Sequence, residues 1–270
     1  MSAFRPFFMQ TEAGRRFFIH HPCTTACKGA VLYVHPFAEE MNKSRRMAAM
    51  QARSLSETGY SVLQIDLYGC GDSEGDFRDA RWEIWKQDLR LGLQWLREQH
   101  ELPVTLWGLR LGALLALDFA RDENFPFEKM LLWQPVHSGE AHLAQFLRLR
   151  LANAMISGKA KVSLQDLKQE LASTGTLEIA GYELPYELAE SISRLKLEDL
   201  GIPGVPHHWL ETMPDAGSAL PPASGRIASA WKSSGIPIRI HKAQGEPFWS
   251  TQEITDCPDL IAQTTGIFAA

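Results

Sequence analysis

The stretch Leu106–Ala113, LWGLRLGA, sets Arg110 midway between Gly108 and Gly112, after one apolar run and ahead of another. That spacing belongs to the sharp strand–turn–helix which presents a nucleophilic serine, G-x-S-x-G. Arginine cannot take over the serine's task. Its guanidinium stays protonated at any relevant pH and has donors but no acceptor, so it is neither nucleophile nor general base. What it can do is hold an anion. It heads a helix starting at Leu111, whose free N–H groups and dipole favour negative charge. A buried guanidinium without a counter-charge is very costly, so an anion must stand beside it. Two sources are open: an internal carboxylate from Glu39, Glu40, Asp215 or Glu246, or an external carboxylate or phosphate ligand. The planar fork of the guanidinium can hold both. Phe37 and Trp249 are candidate apolar walls of the same pocket, or ordinary core residues.

Catalysis by a nucleophile at such a turn also needs a histidine base and an acid to orient it. The acid position, at or after the run HHWLET, offers Glu211 or Asp215. The base position, after IPIRIHKAQ, reads Gly245-Glu246-Pro247-Phe248-Trp249 and holds no histidine. Substitutes elsewhere are Ser73 in a glycine-rich turn, Ser138 beyond a strand end, Cys70 between two glycines, and His35 at the end of a strand. Small serines beside such turns are mostly backbone caps, and His35 also reads as a hydrogen-bonded structural histidine. Glu39, Glu40 and Glu246 are carboxylates that could act on a water. His207 and His208 begin a strand, away from its functional end. His20, His21, Cys23 and Cys27 cluster, but no second ligand pair follows at zinc-site spacing. No metal and no cofactor are therefore expected, and the two thiols read as an incidental pair in a hairpin turn.

The elements that must position these residues alternate strand and helix, the signature of βαβ units and a mostly parallel sheet. Strands are expected at Arg15–His21, Gly29–Pro36, Tyr60–Leu67, Pro103–Gly108, Lys129–Pro135, Pro206–Thr212 and Ile236–Ala243. Lys43–Thr58 reads as a helix stopped by Gly59. Asp79–Gln99 reads as another, with Trp82, Trp85, Leu89, Leu93 and Leu96 recurring along one face. From His137 to Gly201 the alternation breaks into helical segments, GEAHLAQFLRLRLANAMIS and YELAESISRLKLEDL, with TLEIAGYEL the one strand candidate between them. This places a helical cap at 137–201 over a core made of 1–136 and 202–270, lying across the strand ends where open α/β sheets bind ligands. Simple coverage of the sheet is the alternative. Met213–Gly225 reads as a loop from its Pro, Gly and Ser content.

Composition narrows the function classes. The 270 residues are 45 % apolar and 22 % charged with a net charge of −5, ordinary for a soluble domain and without the basic field that nucleic acid needs. No apolar run approaches the length of a membrane span, and the N-terminal stretch lacks a signal-peptide core. Four cysteines without a disulfide framework suit a reducing cytoplasm.

Two further segments join the Arg110 turn in order: YVHPFAEEMNKSRR after a buried strand, and DLYGCGDSEGDF, a glycine-rich turn of the form D-x-x-G-x-G-x-S. With WGLRLGALLA, WQPVHSGEAHLAQFLRLR and GEPFWSTQEI, they make the chain resemble the exosortase A system-associated hydrolases, type 2, from about Phe7 to Gln263. The resemblance implies an α/β-hydrolase fold, a mostly parallel sheet of seven or eight strands with helices on both faces, and a setting among exopolysaccharide and protein-sorting genes. It implies no substrate. Three functions stay open: a catalytically degenerate protein binding an anionic or acyl small molecule, an unorthodox carboxylic ester, thioester or acyl hydrolase, and a scaffold for a partner of the sorting or polysaccharide machinery.

Overall fold

The computed structural model describes residues 4–99, 101–156, 163–215 and 217–269. The N-terminal residues 1–3, Ser157 at the end of the first expected cap helix, and Ala216 in the expected loop lie outside them. Eight strands form one sheet in the order β1-β2-β4-β3-β5-β6-β9-β10. They are β1 Arg5–Thr11, β2 Gly14–His21, β3 Gly29–Val34, β4 Tyr60–Ile65, β5 Val104–Leu109, β6 Lys129–Trp133, β9 His207–Met213 and β10 Ile238–Gln244. β1 and β2 pair antiparallel and β2 meets β4 antiparallel, whereas every pairing from β4 to β10 is parallel. This is the α/β-hydrolase fold that the three motifs implied.

Strand alternation sorts the core into two faces. In β3, Val31 and Tyr33 pack with Met47, Ala52 and Leu55 of α1 (Glu39–Glu57) and with Leu260 and Phe268 of α8 (Pro258–Ala269). Leu32 and Val34 point the other way, onto Trp85, Leu89 and Leu93 of α2 (Trp82–Gln99) and Leu114 and Leu115 of α3 (Leu111–Asp122). Between β6 and β9 the chain builds α4 (Gly139–Ile156), α5 (Leu164–Thr174), a hairpin of β7 (Thr176–Ile179) with β8 (Tyr182–Pro185), and α6 (Tyr186–Ser193). Phe146, Leu147, Leu188 and Ile192 of this insertion share one continuous apolar cluster with the α2–α3 face of the sheet.

Several boundaries differ from the sequence reading for identifiable reasons. β1 was not anticipated. Its Phe7 and Met9 alternate toward the core, with Phe7 stacked on Phe18 at 5.4 Å. α1 begins at Glu39 rather than Lys43, because Ala38 (φ 49°) turns the chain straight from the β3 loop into the helix. Its stop at Gly59 has φ 95°, and a side chain there would meet the Ala26 carbonyl at 2.7 Å. The loop expected over Met213–Gly225 closes early, since α7 (Pro222–Ser233) starts on a proline at its first position, where the missing N–H is no loss. Cys23 and Cys27 are joined as a disulfide rather than left as free thiols. Their Cα atoms lie 5.6 Å apart in the connection from β2 to β3, within bridging distance. The cysteines therefore give no argument for a reducing compartment.

Candidate functional site

The site grows from the end of β5. Arg110 has φ 57° and ψ −120°, backbone angles a non-glycine residue rarely adopts, and caps α3. Its N–H donates to the Trp133 carbonyl at 2.9 Å, which carries the β5–β6 ladder one residue past the strand. The flanking glycines are required by contact. A Cβ on Gly108 would stand 2.4 Å from the Ala113 Cα, and one on Gly112 would stand 2.3 Å from the His35 carbonyl oxygen. The turn thus keeps the geometry that presents a side chain at its apex, and the side chain presented is a guanidinium.

Its counter-charge is Glu40, in the first turn of α1. Arg110 Nε donates to Glu40 Oε1 at 3.2 Å, Nη1 leans toward the Gln134 carbonyl at 3.5 Å, and Cζ lies 5.2 Å from the centre of the Trp249 ring. The other guanidinium N–H groups meet no protein acceptor among the described residues. Of the four carboxylates considered, Glu246 and Asp215 are exposed and make no ion pair with Arg110, and Glu39 lies beside Glu40 with Oε2 unpartnered. Burial pushes the Glu40 pKa up to about 7, against the pull of the Arg110 charge and hydrogen bond. Burial likewise raises that of Glu39.

Beside the elbow, the space between the β3 loop and α3 is closed. A void of about 10 Å³ lined by His35, Phe37, Cys70 and Leu111 remains, barely enough for one water. Phe37 packs edge-to-face against Phe146 at 5.1 Å and Trp249 against Phe248 at 5.0 Å, so both walls are also core residues.

The four substitute catalytic side chains are otherwise engaged. Ser73 accepts the Phe17 N–H at 2.8 Å and donates to the Asp66 carbonyl. Ser138 accepts the Ala141 N–H at 3.3 Å as α4 begins. Cys70 has its thiol pKa pushed up, first by burial and then by the Asp66 and Asp88 charges, so no thiolate forms. His35 spends both nitrogens, Nδ1 on the Pro36 carbonyl at 2.7 Å and Nε2 as acceptor of the Leu67 N–H at 3.3 Å. It has no lone pair left for a proton, and burial pulls its pKa down.

Three residues near the elbow escaped the sequence reading. His137 Nε2 lies 3.1 Å from Ser224 Oγ, and that hydroxyl in turn donates to Glu211 Oε1. A donating Ser224 obliges His137 to carry its proton on Nε2, which leaves Nδ1 as the free nitrogen. Glu211 and Ser224 are both buried, and burial raises the Glu211 pKa. His142, on α4, is 7 % exposed with neither ring nitrogen partnered. Burial, and then the Arg110 charge, bring its pKa down to about 3. His137 was visible only as the residue that opens the expected cap, and His142 only as a position within its first helical segment. No local motif marks either. His207 and His208 open β9, away from the elbow, as their place in the sequence indicated.

No group of three or more His, Cys, Asp or Glu among the described residues is arranged to hold a metal ion, and no helix there is long and apolar enough to cross a membrane.

Fold and elbow together define an α/β-hydrolase-fold protein. The profile of the serine aminopeptidase S33 family (Hydrolase_4) matches residues 25–198, well over half the chain, and the chain belongs to that family. Among solved structures it is similar to Est1E from Butyrivibrio proteoclasticus with ferulic acid bound, with TM-score 0.68, 14 % identity, and 97 % of this chain and 96 % of that one covered. A thermostable carboxyl esterase from Bacillus coagulans in complex with glycerol matches with TM-score 0.67 and 14 % identity over 99 % of this chain and 100 % of that one. By sequence the chain is 29 % identical to Protein ABHD12B of Homo sapiens over 109 residues, 39 % of this chain but only 29 % of that protein's length.

The ion pair makes a testable demand. Its side chains are only 15 % and 12 % exposed, so removing one partner leaves the other poorly solvated. Arg110→Met is expected to cost on the order of 2 kcal/mol at pH 8.5, where Glu40 must either stay charged alone or take up a proton. At pH 5 Glu40 is already protonated in the fold, and the cost falls below half. Glu40→Gln added to Arg110→Met removes the pH dependence. Urea denaturation of the wild type and the two variants at the two pH values reads all of this.

Proposed function

We propose that this chain is a non-hydrolysing member of its family that binds a small acyl carboxylate under the insertion at 137–201, which acts as the cap of a core made of 1–136 and 202–270. The observation that carries the reading is Arg110 at the elbow apex, paired to Glu40 yet retaining guanidinium N–H groups with no acceptor among the described residues. A ligand carboxylate would share the fork with Glu40 and lie on the side of Trp249. Hydrolysis lacks its nucleophile. Loss of the nucleophile or the base alone typically costs several orders of magnitude in rate. The resemblance to exosortase A system-associated hydrolases supports a setting among exopolysaccharide and protein-sorting genes.

A second reading, hydrolysis by water, draws on the chain Glu211–Ser224–His137, in which a buried acid orients a histidine through a serine. One set of measurements separates the two. Ferulate and octanoate are expected to raise the melting temperature of the wild type and to leave that of Arg110→Ala unmoved, with p-nitrophenyl acetate turned over no faster than by buffer. Equal stabilisation of both proteins would overturn the carboxylate anchor. Turnover that disappears in Ser224→Ala would establish the second reading in its place.

A further inference from the structure

On the Glu40 side of the ion pair lies a cavity of about 120 Å³, lined by Phe37, Glu39 and Glu40 from the start of α1 and by His142, Gln145 and Phe146 from α4. Four polar atoms on its walls are buried without a partner among the described residues: Glu39 Oε2, Glu40 Oε2, His142 Nδ1 and His142 Nε2. Buried polar atoms are hydrogen-bonded in the great majority of cases, and each one left unsatisfied costs stability. Four at one cavity are therefore unfinished business within the protein itself. Gln145 is exposed, so the cavity has a way in.

The inventory of those atoms selects the ligand. Two carboxylate oxygens and one imidazole nitrogen seek donors, while the N–H of the neutral imidazole seeks an acceptor. A carboxylate or phosphate ligand would satisfy the imidazole N–H alone and would face two glutamates. An ammonium ion would satisfy the acceptors but leave that N–H orphaned, with the Arg110 charge nearby. Hydroxyl groups do both. Phe37 and Phe146, edge-to-face at 5.1 Å, supply an apolar wall for C–H groups. At about 120 Å³ the cavity has room for a molecule the size of a three-carbon polyol.

We propose that this cavity is a polyol subsite, in which the vicinal hydroxyls of a small neutral sugar alcohol or of a glycosyl end group bind Glu39, Glu40 and His142. The subsite does not rest on the carboxylate anchor, which uses the other side of the guanidinium.

The test uses the whole chain with its histidine rings labelled with ¹⁵N, and the His142 signals assigned by their loss in His142→Phe. Glycerol is expected to shift the His142 ring nitrogens saturably, and 1-propanol, with the same carbon count and a single hydroxyl, to bind at least tenfold more weakly. Glu39→Gln, at a half-buried position that leaves the fold intact, is expected to weaken glycerol about fivefold or more, since it exchanges an acceptor for a donor. Absence of a saturable shift, an equal response to both alcohols, or an unchanged affinity in Glu39→Gln would each overturn the proposal and leave the cavity to water. The carboxylate anchor is judged separately, by ferulate on Arg110→Ala, so either idea can fail alone.

Discussion

Asp88→Ala is expected to destabilise the protein by on the order of 4 kcal/mol, the cost of stranding one member of a buried ion pair. Arg16 Nε donates to Asp88 Oδ1 at 2.6 Å, with the two side chains 2 % and 4 % exposed. Asp88 Oδ2 accepts the Tyr68 N–H at 2.7 Å, and the Arg16 guanidinium lies 4.6 Å from the Tyr68 ring centre. One carboxylate on α2 therefore ties β2 to the glycine-rich turn that begins at Asp66. That turn faces the functional site, because Leu67 donates to His35 and Cys70 lines the void beside the elbow. Arg16 has only the carbonyls of Ala13, Gly14 and Arg15 to fall back on, at 3.3 to 3.5 Å. Asp88→Asn keeps one acceptor and should lose about half as much. Arg16→Met combined with Asp88→Asn should recover part of the stability, since it removes both buried charges and keeps an acceptor for the Tyr68 N–H. Urea midpoints at pH 7.5 distinguish these outcomes. A loss below about 1 kcal/mol in Asp88→Ala would show that the turn is held by its neighbours instead.

The parallel core was legible because strands buried on both faces read as continuous apolar runs, and because glycines at contact positions have no substitute. Gly108 and Gly112 announced the elbow, and Arg110 at its apex announced that something anionic had to stand there. Which anion it was lay outside local pattern. Glu39, Glu40, Asp215 and Glu246 were equal on paper, and the choice fell to the direction in which Ala38 turns α1 out of β3. β1 was hidden because an edge strand with one wet face carries a weaker alternation than a buried one. The Glu211–Ser224–His137 chain and the position of His142 beside Phe37 join residues 13 to 105 positions apart in sequence, and no short-range spacing encodes such a meeting. Ser224 in particular lay within the stretch read as loop, where a helix begins at Pro222 and buries it.

His142 gives the molecule an acid-sensitive element whose sign is fixed by its surroundings. Its pKa in the fold is about 3 against 6.5 for a free side chain, set by burial first and by the Arg110 charge second. A group depressed in this way contributes stability that is complete above pH 6.5 and is lost as the pH falls toward 3. At about 1.4 kcal/mol per unit, the loss between pH 6.5 and pH 4 is on the order of 3 kcal/mol. Glu40, facing the same cavity, works in the opposite sense. Its pKa of about 7 against 4.5 means its contribution is complete below pH 4.5 and is lost as the pH rises through 7. Across pH 6.5 to 4.5 these two contributions nearly offset each other, and below pH 4.5 that of Glu40 no longer changes. Glu39, raised by burial, adds to the Glu40 side. His207 and His208, each brought down to about 4 mainly by burial at the start of β9, add to the His142 side. A difference measurement isolates the one group. The stability of His142→Phe relative to wild type should improve by on the order of 3 kcal/mol as the pH is taken from 7 to 4. A stability difference that holds constant over that range would mean His142 takes up its proton freely, as an imidazole in contact with water does, and the cavity beside Arg110 would then be an open, solvated cleft.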